Sequence, residues 1–131
     1  MKQVTATIGK DHYITHIVTP TGKSLFSDEP ETAGGADAGP APEELLAASL
    51  GACTCITLRM YADRKQWPLN KVEAHITIER DREKNETNMT RQILLTGVLD
   101  EQQIARLLAI ANKCPVHEIL THPIHIQTTL G

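Results

Sequence analysis

Residues 45–58 carry no charged side chain, and small or apolar residues occupy every side of the helix that they would form. Pro42 opens this helix, and Glu43 and Glu44 follow in the first turn, where the positive end of the helix dipole favours acidic residues. Pro68 stops the helix, because proline has no N–H to continue it. A helix that is apolar on every side is expected to be buried all round, so the rest of the chain must cover it.

The segments on either side of this helix show the two-residue alternation of strands or the stripe of an amphipathic helix. Before the central helix, the predicted elements are three short antiparallel strands within residues 3–27 and a loop over 28–41. After the long buried central helix come a β-hairpin of strands at 71–82 and 89–99 and a second helix, which a capping box of Asp100 with Gln103 opens. A short third helix at 115–120 and a C-terminal strand at 124–130 complete the order. This order predicts an α+β fold and not repeated βαβ units. We expect one domain over residues 1–131.

Size, charge and composition exclude several classes of protein. A chain of 131 residues can bury a core without disulfide staples. A net charge of −3 with scattered basic residues gives no basis for binding nucleic acid or a membrane surface. No stretch resembles a signal peptide or approaches a membrane span, so we expect a soluble, cytoplasmic protein whose thiols are kept reduced.

Two of the three cysteines, Cys53 and Cys55, lie on the central helix. Side chains two positions apart on a helix point about 200° away from each other, so this pair cannot share a metal ion or a disulfide. Each of them is most simply a small buried hydrophobic residue. The odd number of cysteines also argues against a purely structural disulfide framework.

Cys114 stands at the start of the short third helix, beside Lys113 and one turn before His117. A helix N-terminus and nearby cations lower the pKa of a thiol, although a simple turn residue is an equal alternative. The Cys-x-x-His spacing lacks a second ligand pair, so we predict no metal site. Which helical thiol would pair with Cys114 stays open at this point, with a slight preference for Cys55 because Arg59 lies one turn beyond it.

Two segments, GGADAGPAPEELLAASLGACTCITLRMYADRK and, downstream, KCPVHEIL, resemble the OsmC/Ohr family of thiol-dependent hydroperoxide reductases, in its general OsmC-like branch. The resemblance covers essentially the whole chain and implies the family's fold as an intertwined homodimer. It implies that Cys53 is the peroxidatic cysteine and Cys114 the resolving cysteine, while Cys55 remains a core residue. A Cys53 sulfenic acid would condense with Cys114 to a disulfide, which an external thiol reduces.

The resemblance also points to Glu43, which matches an acidic residue of the family. Ten positions of helix correspond to about 15 Å of rise, so one chain's Glu43 would not reach its own Cys53 and would act from the other subunit. The alternative is that Glu43 only complements the helix dipole. The early arginine of the efficient reductases is missing, and Lys10 is the nearest substitute, although a lysine cannot reproduce a bidentate guanidinium.

The resemblance therefore implies a peroxiredoxin-like enzyme that reduces organic hydroperoxides or hydrogen peroxide, with low turnover if the arginine matters. It implies no cofactor besides an external dithiol reductant. The alternative is a non-catalytic dimer that binds a small apolar ligand in a cleft between subunits. A third option is thiol chemistry on a persulfide or a disulfide.

Overall fold

In the computed structural model, which describes residues 2–131, three short antiparallel strands form an N-terminal sheet. They are β1 (Thr5–Ile8), β2 (Thr15–Val18) and β3 (Ser24–Ser27), in the order β1-β2-β3. His16 and Phe26 are register partners across β2 and β3, and their rings stack with centroids 4.9 Å apart. The three strands predicted within residues 3–27 are confirmed.

The predicted loop over residues 28–41 is confirmed and contains only one 3-10 turn, Glu31–Ala33. Asp28, which is 2% exposed, organises it from within. Its carboxylate accepts the backbone N–H groups of Tyr13, Glu29, Ala36 and Ala38 at 3.0, 2.7, 3.1 and 3.0 Å. These bonds, of which that from Ala38 lowers the pKa most, hold the pKa of Asp28 below its ordinary value of 3.8 against the opposing effect of burial. A Cβ at Gly39 would collide with the Phe26 carbonyl, which explains one of the glycines in this loop.

The central helix α1 (Pro42–Lys65) begins at the predicted proline. The carboxylate of Glu44 accepts the backbone N–H of Ala41 at 2.8 Å, next to the helix start. The prediction that this helix is buried all round is wrong for a single chain. Its buried positions are Ala47, Leu50, Thr54, Leu58, Tyr61 and Ala62. Ile56 and Met60 are 54% and 67% exposed, because one chain covers only part of the helix surface.

Helix α1 is also long and apolar enough, by length and composition, to cross a membrane. This corrects the expectation that no run of the sequence approaches a membrane span. The criterion is weak for a single helix, since the core helix of a soluble protein meets it equally well. The soluble, cytoplasmic location stays a prediction.

The remaining elements follow the predicted order. They are the strands β4 (Leu69–Asp81) and β5 (Glu86–Gly97), which form an antiparallel hairpin, and the helices α2 (Glu101–Ala111) and α3 (Pro115–Leu120). The capping box is confirmed: Asp100 accepts the N–H of Gln103 at 2.8 Å, and the Gln103 side chain accepts the N–H of Asp100 at 3.0 Å.

The buried core joins α1 to α2. It consists of Leu58, Tyr61, Leu107, Ile110 and Ala111, with partly buried residues of the hairpin packed against it. By its contacts the chain divides into two units, one ending at Leu46 and one running from Ala47 to Gly131, and this core belongs to the second. The expectation of a single domain stays a prediction.

The predicted C-terminal strand is wrong for the described chain. Residues 123–131 form no helix or strand, and Ile124, Ile126 and Leu130 are 57%, 84% and 100% exposed. Alternating Ile and Thr residues favour an extended backbone, but a strand also needs an edge with which to pair, and no described strand pairs with this segment. The mixed α+β class itself is confirmed.

Candidate active site

Three elements of the second unit bring Cys53, Arg91 and Cys114 together. Cys53 lies in the middle of α1, Arg91 on β5, and Cys114 at the N-cap of α3. The thiol of Cys53 lies near enough to Cys114 to raise the pKa of the Cys114 thiol, although the two residues lie far apart in the sequence. Cys114 is fully buried and Cys53 half-buried, with its sulfur 4.0 Å from Thr57 Oγ1. The structure therefore pairs the two cysteines that the resemblance selected, while their peroxidatic and resolving roles stay predictions.

The Cys114 thiol is held as a helix cap. Its sulfur accepts the backbone N–H of His117 at 3.3 Å, as expected for the residue that precedes α3. The predicted lowering of its pKa is wrong, however. Burial raises the pKa of Cys114 above 9.0 and the Cys53 thiol raises it further, against smaller opposite effects of the His117 N–H and the Arg91 guanidinium. Because its pKa is raised, Cys114 is a neutral thiol at neutral pH.

Cys55 faces the hairpin and not Cys114. Its sulfur points at the carbonyl oxygen of Val72 at 3.8 Å. Arg59, whose position had slightly favoured Cys55, instead donates to Leu69 O at 2.5 Å and pairs with Asp63 at 3.2 Å. Arg59 is therefore engaged by other partners, and the expectation that Cys55 is a core residue stays a prediction.

Arg91 is the residue that the sequence analysis missed. Its guanidinium donates to Thr54 Oγ1 at 3.1 Å, Ala111 O at 3.3 Å and Asn112 Oδ1 at 2.8 Å, and lies 3.4 Å from His117 Nδ1. One signal could have found it. Arg91 shares a strand face with Ile93 and Leu95, and a charged residue on the inward face of a strand needs buried partners.

A cavity of about 500 Å³ opens beside Arg91. Its lining is amphipathic, with Leu50, Met89 and Leu120 among the apolar residues and Thr87, Asn88, Arg91, His117 and Thr121 among the polar ones. Arg91 and His117 belong both to the cavity wall and to the contacts around Cys114. A small molecule with a polar head and an apolar tail would fit such a lining.

The other predicted site residues lie in exposed positions. Glu43 occupies the first turn of α1, and Lys10 lies in the turn that follows β1. Their roles stay predictions. Within residues 2–131, no three His, Cys, Asp or Glu side chains are grouped so that they could hold a metal ion.

Comparison with known proteins identifies the family and the fold. The sequence model of the OsmC-like protein family matches residues 34–129. A search of curated proteins found no significant match. Among solved structures, an OsmC-like protein from Mycoplasma pneumoniae superposes with a TM-score of 0.79 at 19% identity, covering 92% of this chain and 87% of that one.

Two further structures carry names that refer to peroxide resistance. The organic hydroperoxide resistance protein OsmC from Legionella pneumophila has a TM-score of 0.67 and 25% identity, covering 92% of this chain and 88% of that one. The organic hydroperoxide resistance protein OhrB of Bacillus subtilis has a TM-score of 0.62 and 22% identity, covering 91% and 89%. At these identities the likeness is one of fold.

Proposed function

The chain belongs to the OsmC-like protein family, and on that premise we propose that it is a thiol-dependent hydroperoxide reductase that serves the response to peroxide stress. Cys53 is the peroxidatic cysteine and Cys114 the resolving cysteine. The observation that carries the proposal is the meeting of these two thiols, from α1 and from the cap of α3, in a half-buried site.

The chemistry follows from the two environments. The more accessible Cys53 thiolate attacks the O–O bond of the peroxide, releasing an alcohol or water and leaving Cys53 as a sulfenic acid. Cys114 then attacks the sulfenic sulfur, the S–O bond breaks and the oxygen leaves as water. An external dithiol reduces the resulting disulfide and returns both thiols. Burial of Cys114 keeps it protonated, so that it does not compete with Cys53 for peroxide.

Mass spectrometry after one equivalent of an organic hydroperoxide tests this assignment. Wild type and Cys55→Ser are expected to form the Cys53–Cys114 disulfide. Cys114→Ser is expected to accumulate sulfenic or overoxidised Cys53, and Cys53→Ser to leave Cys114 unoxidised. A free Cys53 thiol in wild type while peroxide persists would contradict the enzyme function.

The same proposal includes a homodimer. Ile56 and Met60 leave an apolar stripe of α1 exposed in the single chain, and a second chain would bury it. In such a dimer the second subunit supplies Glu43 to the thiol site. Sedimentation analysis of Ile56→Glu should show dissociation, whereas Gln102→Glu, which adds the same charge at an exposed position of α2, should not. A monomeric wild type would contradict this part.

The cavity of about 500 Å³, with Leu50, Met89 and Leu120 in its lining, favours a second function, the binding of a small apolar ligand without turnover. The peroxide experiment separates the two. A ligand-binding protein would retain Cys53 as a thiol under one equivalent of hydroperoxide, and its cavity would still take up a small apolar probe by calorimetry.

A further inference from the structure

Arg91 contacts every helix of the second unit from its position on the hairpin. It reaches α1 through Thr54, the C-terminal end of α2 through Ala111 and Asn112, and α3 through His117. Asn112 is the C-cap of α2, where the negative end of the helix dipole favours a cation. A planar guanidinium with several donors suits this geometry, since one group bonds acceptors in several directions.

The residues that Arg91 contacts are neighbours of both cysteines in the chain. Thr54 follows Cys53 directly in the chain, and Asn112 lies just before Cys114. His117, the third contact, donates its own backbone N–H to Cys114 Sγ at 3.3 Å. The position of Arg91 therefore affects the two segments that must meet when a disulfide forms.

The charge of Arg91 also matters to Cys114. Because Cys114 is fully buried, making its thiolate requires a compensating partner. The groups that bear on its ionisation are Cys53 from α1, the His117 N–H from α3 and Arg91 from β5, with the exposed Lys113 next to it in the chain. The His117 N–H and the Arg91 guanidinium both favour the thiolate, and of these two Arg91 is the one that carries a full positive charge.

We propose that Arg91 is the positioning residue for disulfide formation, which ties the Cys53 segment to the Cys114 segment and holds its positive charge against Asn112 and His117. The inference rests on the proposed chemistry of the two cysteines. In the step concerned, Cys114 loses its proton and its sulfur attacks the sulfenic sulfur of Cys53. The S–S bond forms and the S–O bond breaks. Hydroxide leaves and takes up a proton to become water, so Cys114 is oxidised and the Cys53 sulfur reduced.

The first test follows the ionisation of Cys114 alone, in a Cys53→Ser/Cys55→Ser background. The Cβ shift of carbon-13-labelled cysteine, read by NMR against pH, reports the thiolate directly. Arg91→Met should move the titration midpoint upward, and Arg91→Lys should return it toward that of the parent. Arg80→Met is the matched control, because Arg80 is exposed and hydrogen-bonds to Thr87 and Asn85 at the end of the hairpin. Equal midpoints for Arg91→Met and Arg80→Met overturn the proposal.

The second test separates the two chemical steps by rapid quenching after addition of cumene hydroperoxide. Arg91→Met should slow the conversion of the Cys53 sulfenic acid to the disulfide about tenfold, measured as a first-order step after the sulfenic acid has formed, as expected when one charge-assisted contact is lost. The pH profile of that second step should move to higher pH, which a mere loss of stability would not cause. An unaltered rate and profile refute the inference.

Two provisions keep the test decisive. If Arg91→Met does not fold, Arg91→Lys is tested in its place. Lysine retains the positive charge but not the planar guanidinium with its several donors, so disulfide formation should still be slower than in wild type. A wild-type rate would overturn the inference. If wild type forms no sulfenic acid, the proposed peroxidase function fails by itself. Disulfide formation is then driven with an excess of a small disulfide. Arg91→Met should form the Cys53–Cys114 disulfide more slowly than wild type and Arg80→Met, and equal rates would overturn the role of Arg91.

Discussion

Thr54→Val tests the buried contact on which Arg91 depends. Thr54 is fully buried in the middle of α1. Its hydroxyl donates to Leu50 O at 2.7 Å and accepts from Arg91 at 3.1 Å. Valine keeps the shape and the β-branch of threonine but removes this acceptor, so the substitution opens no cavity and leaves one guanidinium N–H without its partner.

The expected loss of stability can be worked from these contacts. A hydrogen bond to a charged group contributes about 1.5–3 kcal/mol, and leaving a buried donor unpaired costs a similar amount. Arg91 keeps its bonds to Ala111 and Asn112, and a buried methyl group offsets part of the loss. We therefore expect Thr54→Val to lower the free energy of unfolding by about 1–2 kcal/mol and the melting temperature by about 3–8 °C.

Urea unfolding under reducing conditions measures this loss, with both variants at one protein concentration because association would add to the apparent stability. Thr57→Val is the matched control: Thr57 lies on the same helix, is half-buried and does not contact Arg91. It should lie within about 0.5 kcal/mol of wild type. If the two variants differ by less than about 0.5 kcal/mol, Thr54 does not hold Arg91 and the reasoning fails.

Three further substitutions test the fold of the two units. Asp28→Asn should destabilise the protein at neutral pH. The folded pKa of Asp28 lies below the unfolded value near 3.8, so its contribution to stability is present above that value and is lost as the pH falls through the folded pKa. The urea midpoints of wild type and variant should therefore converge in acid. A constant gap between the midpoints would contradict this. Leu107→Ala should lower the free energy of unfolding in urea by about 2–5 kcal/mol, since Leu107 is fully buried. Leu108 is 48% exposed, so Leu108→Ala should lower it far less. Equal losses would contradict the packing. Asp100→Ala should cost about 0.5–2 kcal/mol by the same measurement through loss of the capping box, and an unchanged midpoint would show that the cap contributes nothing.

The elements that local patterns specify were predicted well. Pro42 and Pro68 bracket α1, the alternation at 71–82 and 89–99 became the hairpin, and the Asp100–Gln103 pair opened α2. Each of these signals depends on residues a few positions apart, so no knowledge of the fold is required to read it. The C-terminal strand failed for the converse reason, since strand pairing depends on a distant edge and not on alternation alone.

The site likewise has some features that the sequence specifies and others that depend on tertiary structure. Helix periodicity alone separates Cys53 from Cys55, and Pro115 alone marks Cys114 as a helix cap. Only tertiary structure decides that Cys53 meets Cys114, that burial raises the pKa of Cys114 against its favourable cap, and that Arg91 lies among three helices. Burial and long-range contacts depend on which other elements pack against a residue. The effect of a charge such as that of Arg91 therefore depends on partners that are distant in the sequence.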